Sequence, residues 1–352
     1  MLIDALCGRG WDAPNPPDRE RARALLVSPS PDPWTAAVAG DVDVLGAVTL
    51  LLERGADPDS HYSAPGADNG FSALYGSIAV TGDRARVDAL LAAGAHPSDG
   101  NSTYHAVETF DLDLLKALTD AGVDHDDASY TLKHALDMRF EGAVRLLLDV
   151  GANPNALHPA ANETSLHWAV KRNASVRVIG WLMDAGADPN RENANGRAGF
   201  LAIRGRTPMD YALRLGHLEA ATRMAGTPTA PSDEDAFVYA VARGGPAPPM
   251  PLERLHADDR ALLAHWAQHG RQEAVALACE LGFDLDSTAW MGLTAVHWAA
   301  MRGDPVMVAT LLQAGAPVVD LGGYFGDPAH TARTCRWYAG DYDAVLALLA
   351  GR

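Results

Sequence analysis

The chain has 352 residues, 48% hydrophobic and 21% charged, enough apolar material to bury a sizeable core, and a formal net charge of −17. That acidity excludes general nucleic-acid binding, which needs Lys and Arg to displace phosphate counterions, and it disfavours anionic membrane surfaces. Cys7, Cys279 and Cys335 are odd in number and in no paired motif, which points to a reducing cytoplasm, and no apolar run suits a signal peptide or a bilayer span.

In chain order, residues 1–33 read as a Pro-rich N-terminal cap around one helix over 18–27, whose DRERAR stretch gives a polar face. A compressed helix pair follows from Trp34, ending in a long loop over 60–70. Further pairs begin at FSALYGS, STYHAVE and YTLKHAL. Gly55, Gly94, Gly122, Gly151 and Gly186 close successive pairs, where a left-handed residue caps the second helix. Their spacing is a self-similar period of roughly 33 residues, with insertions and deletions.

The clearest unit is TSLHWAVKRNASVRVIGWLMDAGADPN, residues 164–190. Thr164 is placed to cap the first helix, His167 to tie the turn to it, and Ala169 to let neighbouring helices approach. Val178, Ile179, Leu182 and Met183 give the second helix its apolar face. A long loop over 191–206 precedes the next pair, in which Asp210 replaces the His. A Pro-rich stretch over 226–256 then interrupts the pattern, as an irregular unit with a helix over 234–243 and a remnant over 252–256, or as a linker. The pattern resumes at 257–352. LTAVHWAAMRG is its second clear instance, and helices over 331–339 and 342–350 form a C-terminal cap.

Thr164-Ser165-Leu166-His167-Trp168-Ala169 resembles the T-P-L-H-x-A signature of ankyrin repeats, and the resemblance extends over most of 34–352. It implies an all-α fold: an ankyrin-repeat α-solenoid of about eight repeats, with short β-hairpin-like fingers and capped ends. The divisions are 1–33, 34–225, 226–256 and 257–352. The irregular repeats, with Arg far outnumbering Lys, resemble bacterial ankyrin proteins. The resemblance implies a monomeric, cytoplasmic binding scaffold that recognises a protein partner through a concave groove and fingers, with no cofactor.

The chemistry-bearing residues leave alternatives. No P-loop, nucleophile elbow or zinc-helix motif is present. His-Trp-Ala occurs at 167–169, 265–267 and 297–299, as a packing signature or as a row of rings lining a pocket. His265 stands apart, because Leu262 supplies no hydroxyl to pair it. His265 and His269 share a helix face but lack a third ligand, so no metal is expected. The acidic loop 123–127 lacks the spacing of a calcium loop.

Between 171 and 214 the local charge reverses: Lys171, Arg172, Arg177, Arg191, Arg197, Arg204, Arg206 and Arg214 face Asp184, Asp188, Glu192 and Asp210. Lys171, Arg172, Arg197, Arg204, Arg206 and Arg214, with Trp168 and Tyr75, are the expected ligand-binding residues. The ligand is an acidic surface or an anionic small molecule, and the other reading is pairing to surrounding acids. The alternative function is an enzyme or small-molecule binder that uses the groove as a pocket. There Asp210, His265 and His297 are the acid–base candidates.

Overall fold

The computed structural model describes residues 44–53, 55–62, 71–159, 162–193, 205–224, 231–336 and 338–350. The expected helix over 18–27, the rest of the N-terminal cap, and Arg197 and Arg204 lie outside these residues. The chain divides into two compact units, Met1–Pro154 and Asn155–Arg352.

Each unit is a stack of antiparallel helix pairs. The first contains α1 (Val44–Glu53), α2 (Ala73–Tyr75, continued by a π turn over Gly76–Val80), α3 (Arg84–Ala92), α4 (Ser102–Glu108), α5 (Leu112–Asp120), α6 (His125–Asp137) and α7 (Glu141–Asp149). A two-residue hairpin, β1 (His61–Tyr62) against β2 (Phe71–Ser72), forms a finger before α2. Leu90, Leu115, Leu118 and Leu132 are fully buried at its core.

The second unit contains α8 (Ser165–Lys171), α9 (Val176–Asp184), α10 (Pro208–Arg214), α11 (Leu218–Met224), α12 (Asp233–Ala242), α13 (Ala257–Arg260), α14 (Leu262–Gln268), α15 (Gln272–Leu281), α16 (Ala295–Met301), α17 (Pro305–Gln313), α18 (Pro328–Thr334) and α19 (Tyr342–Leu349). Inner helices of seven residues are too short to persist alone, so caps and neighbours must hold them. Pairing across fingers is brief: Asn193 N donates to Arg206 O at 3.0 Å, and Thr288 bridges Thr294.

The sequence break resolves into α12, which packs against α10 and α15, and a single 3₁₀ turn over Leu252–Arg254. Asp235 N donates to Ser232 Oγ at 3.1 Å, which explains the start of α12 one residue before the expected boundary. The C-terminal inner helix also starts early: Asp327 caps it, accepting from His330 N at 2.6 Å, and Pro328 occupies the first turn. It ends at Thr334 rather than 339, because Cys335 leaves helical geometry at ψ 60°.

Candidate functional site

The signature histidines are bonded on both sides of the ring. Thr164 N donates to His167 Nδ1 at 3.2 Å, Thr164 Oγ1 lies 2.9 Å from the same nitrogen, and His167 Nε2 reaches Arg206 O at 3.0 Å. His297 repeats this with Thr294 Oγ1 at 2.8 Å and Gly326 O at 3.2 Å. Each ring therefore fastens its helix start to the following finger. Burial pushes His167 down to about 4 and lowers His297, so both rings are neutral links at pH 7. Asp210 serves the same slot by accepting from Thr207 N at 3.1 Å, and Tyr239 donates to its other oxygen at 2.8 Å.

His265 is not the third member of this set. The inner helices α8, α10, α14 and α16 are each followed by a residue of positive φ, namely Asn173, Gly216, Gly270 and Gly303. Counting from these residues, Ala169, Ala212, Trp266 and Ala299 align, and their carbonyls accept from Ala174, His217, Arg271 and Asp304 N respectively. His265 thus occupies the position of Trp168 and Trp298, one residue past the signature slot. Trp266 fills the small-residue slot, fully buried, and its Nε1 donates to Arg214 O at 2.7 Å. Gln268 supplies a side-chain hydrogen bond to His265, while Nδ1 has no partner. Asp210, His265 and His297 therefore engage separate sets of partners.

Much of the expected basic cluster is internally neutralised. Lys171 meets Glu163 at 2.5 Å with both side chains buried. Tyr211 donates to the other Glu163 oxygen at 3.0 Å and receives a bond from Asn193 Nδ2 at 3.1 Å. Arg214 has no exposed surface and pairs with Asp235 and Asp259. Arg206 pairs with Asp235 at 2.9 Å. Arg172 lies over Trp290 at 3.9 Å from the ring centroid and 5.7 Å from that of Trp168, while Lys171 is 4.7 Å from Trp168. The structure thus brings Trp168, Lys171 and Arg172 together, and Arg206 with Arg214 in a separate acidic network.

The expected residue Tyr75, in the first unit, opens a different arrangement. Its ring stacks on Phe71 at 4.8 Å and meets His105 edge-on at 5.1 Å. Tyr104 meets His105 at 5.2 Å, stacks on His134 at 3.7 Å and reaches Tyr130 at 5.5 Å. Glu108 lies between the imidazoles, 2.9 Å from His105 Nδ1 and 3.2 Å from His134 Nε2. The carboxylate is 43% exposed and Tyr130 is 37% exposed, so this ladder reaches solvent. Burial beside Tyr130, Asp137 and Glu108 pushes the Tyr104 hydroxyl up to about 12. Sequence reasoning missed the ladder, although His105 and His134 are recognisable at equivalent positions before Ala106 and Ala135.

Among the described residues no group of three or more His, Cys, Asp or Glu is arranged to hold a metal. His269 Nδ1 meets His217 Nε2 at 3.0 Å, leaving His269 Nε2 without a partner.

Comparison with known proteins names the helix pairs. Residues 103–193 and 141–235 match the family model described as ankyrin repeats (3 copies), and 291–322 match the single ankyrin repeat model. The chain carries ankyrin repeats. Its fold is an all-α ankyrin solenoid, of a kind that generally serves protein interaction. The ARF GTPase-activating protein GIT1 of Homo sapiens is 35% identical over 111 residues, 31% of this chain and 13% of that protein, and the proteins of Mus musculus and Rattus norvegicus match equally. The ankyrin chain thus spans about an eighth of these relatives' length. Among solved structures, the human ASB11 ankyrin repeat domain is 19% identical with a TM-score of 0.32, covering 70% of this chain and 96% of its own. The ankyrin repeat domain of Bcl-3 is 20% identical with a TM-score of 0.27, covering 71% and 97%.

Proposed function

We propose that this ankyrin protein is a monomeric cytoplasmic binding scaffold that recognises a basic segment of a protein partner along the inner helices and finger of its first unit. The observation that carries this reading is the solvent-reaching ladder of Tyr75, Tyr104 and Tyr130 around the half-exposed carboxylate of Glu108. Aromatic faces attract Lys and Arg side chains, and large rings dominate interface energetics with little ordering cost. The surrounding sequence adds long-range attraction: residues 71–154 hold thirteen Asp and Glu against six Lys and Arg, a balance of −7. The free thiols of Cys279 and Cys335 fit a reducing compartment. No described helix is long and apolar enough to cross a membrane.

Selection from a random peptide library on the purified chain tests this reading. Recovered peptides are expected to be rich in Arg and Lys. Their binding should weaken at high salt and fall about tenfold or more in Tyr130→Ala. Recovery of acidic peptides, or equal binding by the variant, would contradict it.

A further inference from the structure

Glu108, in the first unit, is held by two donors that do not exhaust it. His105 Nδ1 lies 2.9 Å from one carboxylate oxygen and His134 Nε2 lies 3.2 Å from the other. An ionised carboxylate only accepts, so each imidazole donates an N–H to its own oxygen. The two oxygens together offer about four lone-pair sites, of which one on each oxygen is taken. Among the described residues the ion-pair partners of Glu108 are these two histidines, and no Lys or Arg joins them. The side chain is half exposed, so solvent and a partner can reach the carboxylate.

The remaining sites form a matched pair, one on each oxygen. An ammonium engages such a pair as a point charge, whereas a guanidinium presents two parallel N–H groups at the spacing of the two oxygens. The imidazoles stand on different helices, α4 and α6, and are themselves held by rings. Tyr75 and Tyr104 meet His105 edge-on at 5.1 and 5.2 Å, and Tyr104 stacks on His134. The carboxylate is thereby oriented before a ligand arrives, which lowers the ordering cost of a two-bond contact. The neighbouring surface suits the rest of an arginine side chain. Tyr104 lies four residues before Glu108 on α4, about one helical turn away. Its ring plane is 12° from that of His134 and 27° from that of Tyr130, so the three rings form a near-parallel strip beside the carboxylate. An arginine stem is roughly as long as one helical turn is high, so it can cover Tyr104 while its head reaches Glu108.

We propose that Glu108 is an arginine-specific subsite: one arginine of the partner forks onto both Glu108 oxygens and lays its stem over Tyr104, flanked by Tyr130. The inference rests on the reading of the first unit as a surface for a basic segment, and it adds which basic residue that segment must carry. Lysine is the weaker occupant, because its compact ammonium cannot meet both oxygens with parallel bonds.

The test titrates a short peptide with fixed flanking lysines into the full chain, its central residue being arginine, lysine, citrulline or ω-dimethylarginine. Binding is read from the ring resonances of Tyr104 and Tyr130. The arginine peptide is expected to bind about tenfold more tightly than each of the other three. Lysine keeps the charge without the fork, citrulline keeps the plane without the charge, and dimethylation keeps both while obstructing the fork. Glu108→Gln, which removes the charge and one acceptor oxygen at nearly constant size, should bring the arginine peptide down to the level of the lysine peptide. Tyrosine shifts of equal affinity with the arginine and lysine peptides would overturn the arginine subsite and leave the basic-segment reading standing. Tighter binding of the dimethylarginine peptide would also overturn it, since rings rather than the fork would then select the cation. No shift with any of the four peptides at millimolar concentration would overturn both. If Glu108→Gln does not fold, the four peptides on the wild-type chain decide alone.

Discussion

His167 Nε2 lies 3.0 Å from the carbonyl of Arg206, a contact across 39 residues that fastens one repeat to the finger of the next. His297 makes the corresponding contact to Gly326. Because both nitrogens of His297 are used and the ring is fully buried, His297→Ala leaves Thr294 and the Gly326 carbonyl unsatisfied. The expected cost is about 1–3 kcal/mol. An unchanged urea midpoint would contradict the structural role.

Stability should fall in mild acid. Burial holds His167 at about 4 and His217 and His265 at about 3, all below the ordinary 6.5. The folded chain keeps these rings neutral, whereas the unfolded chain takes up protons once pH drops below 6.5. Their contribution is thus complete above pH 6.5 and is lost as pH falls toward 4, at up to about 1.4 kcal/mol per ring per pH unit. Asp127, pushed up to about 6 mainly by burial, opposes this by binding its proton more readily when folded. Burial raises Asp259 as well, but it also lowers His269 and His297 beside the three rings already named, so the loss in acid prevails. Urea midpoints read from tryptophan fluorescence should fall between pH 7 and pH 5, and a flat profile would count against the buried neutral rings.

Arg214 is expected to be the most sensitive charge in the chain. It sits unexposed between Asp235 and Asp259, and Asp259 is itself 1% exposed. Arg214→Leu strands Asp259 and leaves Asp235 with Arg206 and Ser232, and should cost about 3–5 kcal/mol. Adding Asp259→Asn should recover part of that loss, because one uncompensated charge is removed. A double variant no more stable than the single one would show that shape, rather than charge, governs the position.

Two glycines of similar conformation should respond differently to alanine. Gly315 has φ 89° and open space where a Cβ would go, so Gly315→Ala carries only left-handed strain, about 1–2 kcal/mol. Gly303, at φ 63°, would place its Cβ 2.9 Å from Gly340 Cα and 3.0 Å from Gly340 C. Gly303→Ala must therefore also displace the Gly340 backbone, and thermal melts should show the larger loss there. Equal losses would place the last repeat further from the inner turn.

The repeat at 164–190 was legible because its determinants are local. Thr164 and His167 cap one helix, and Gly186 at φ 85° ends the other. The His-Trp-Ala triplet at 265 misled because its register is set by the turn at the end of its helix. His167 and His297 stand six residues before the positive-φ residues Asn173 and Gly303, whereas His265 stands five before Gly270. That offset is visible in the sequence once the turn residue is used as the ruler. The ion pairs of Arg214 were not legible, since Asp235 and Asp259 lie 21 and 45 residues away and no local pattern selects them. The first-unit ladder was hidden similarly: Glu108 and His134 are 26 residues apart and meet only when α4 and α6 stack.

The most direct measurement of the proposed partner surface is aromatic-resolved NMR during titration of a short arginine-rich peptide into the full chain. Ring resonances of Tyr75, Tyr104 and Tyr130 are expected to shift together, saturably and less at high salt, with those of Tyr239 and Tyr342 in the second unit unchanged. Shifts confined to the second unit, or no shift at the three first-unit tyrosines under saturating peptide, would contradict recognition of a basic segment by this ladder.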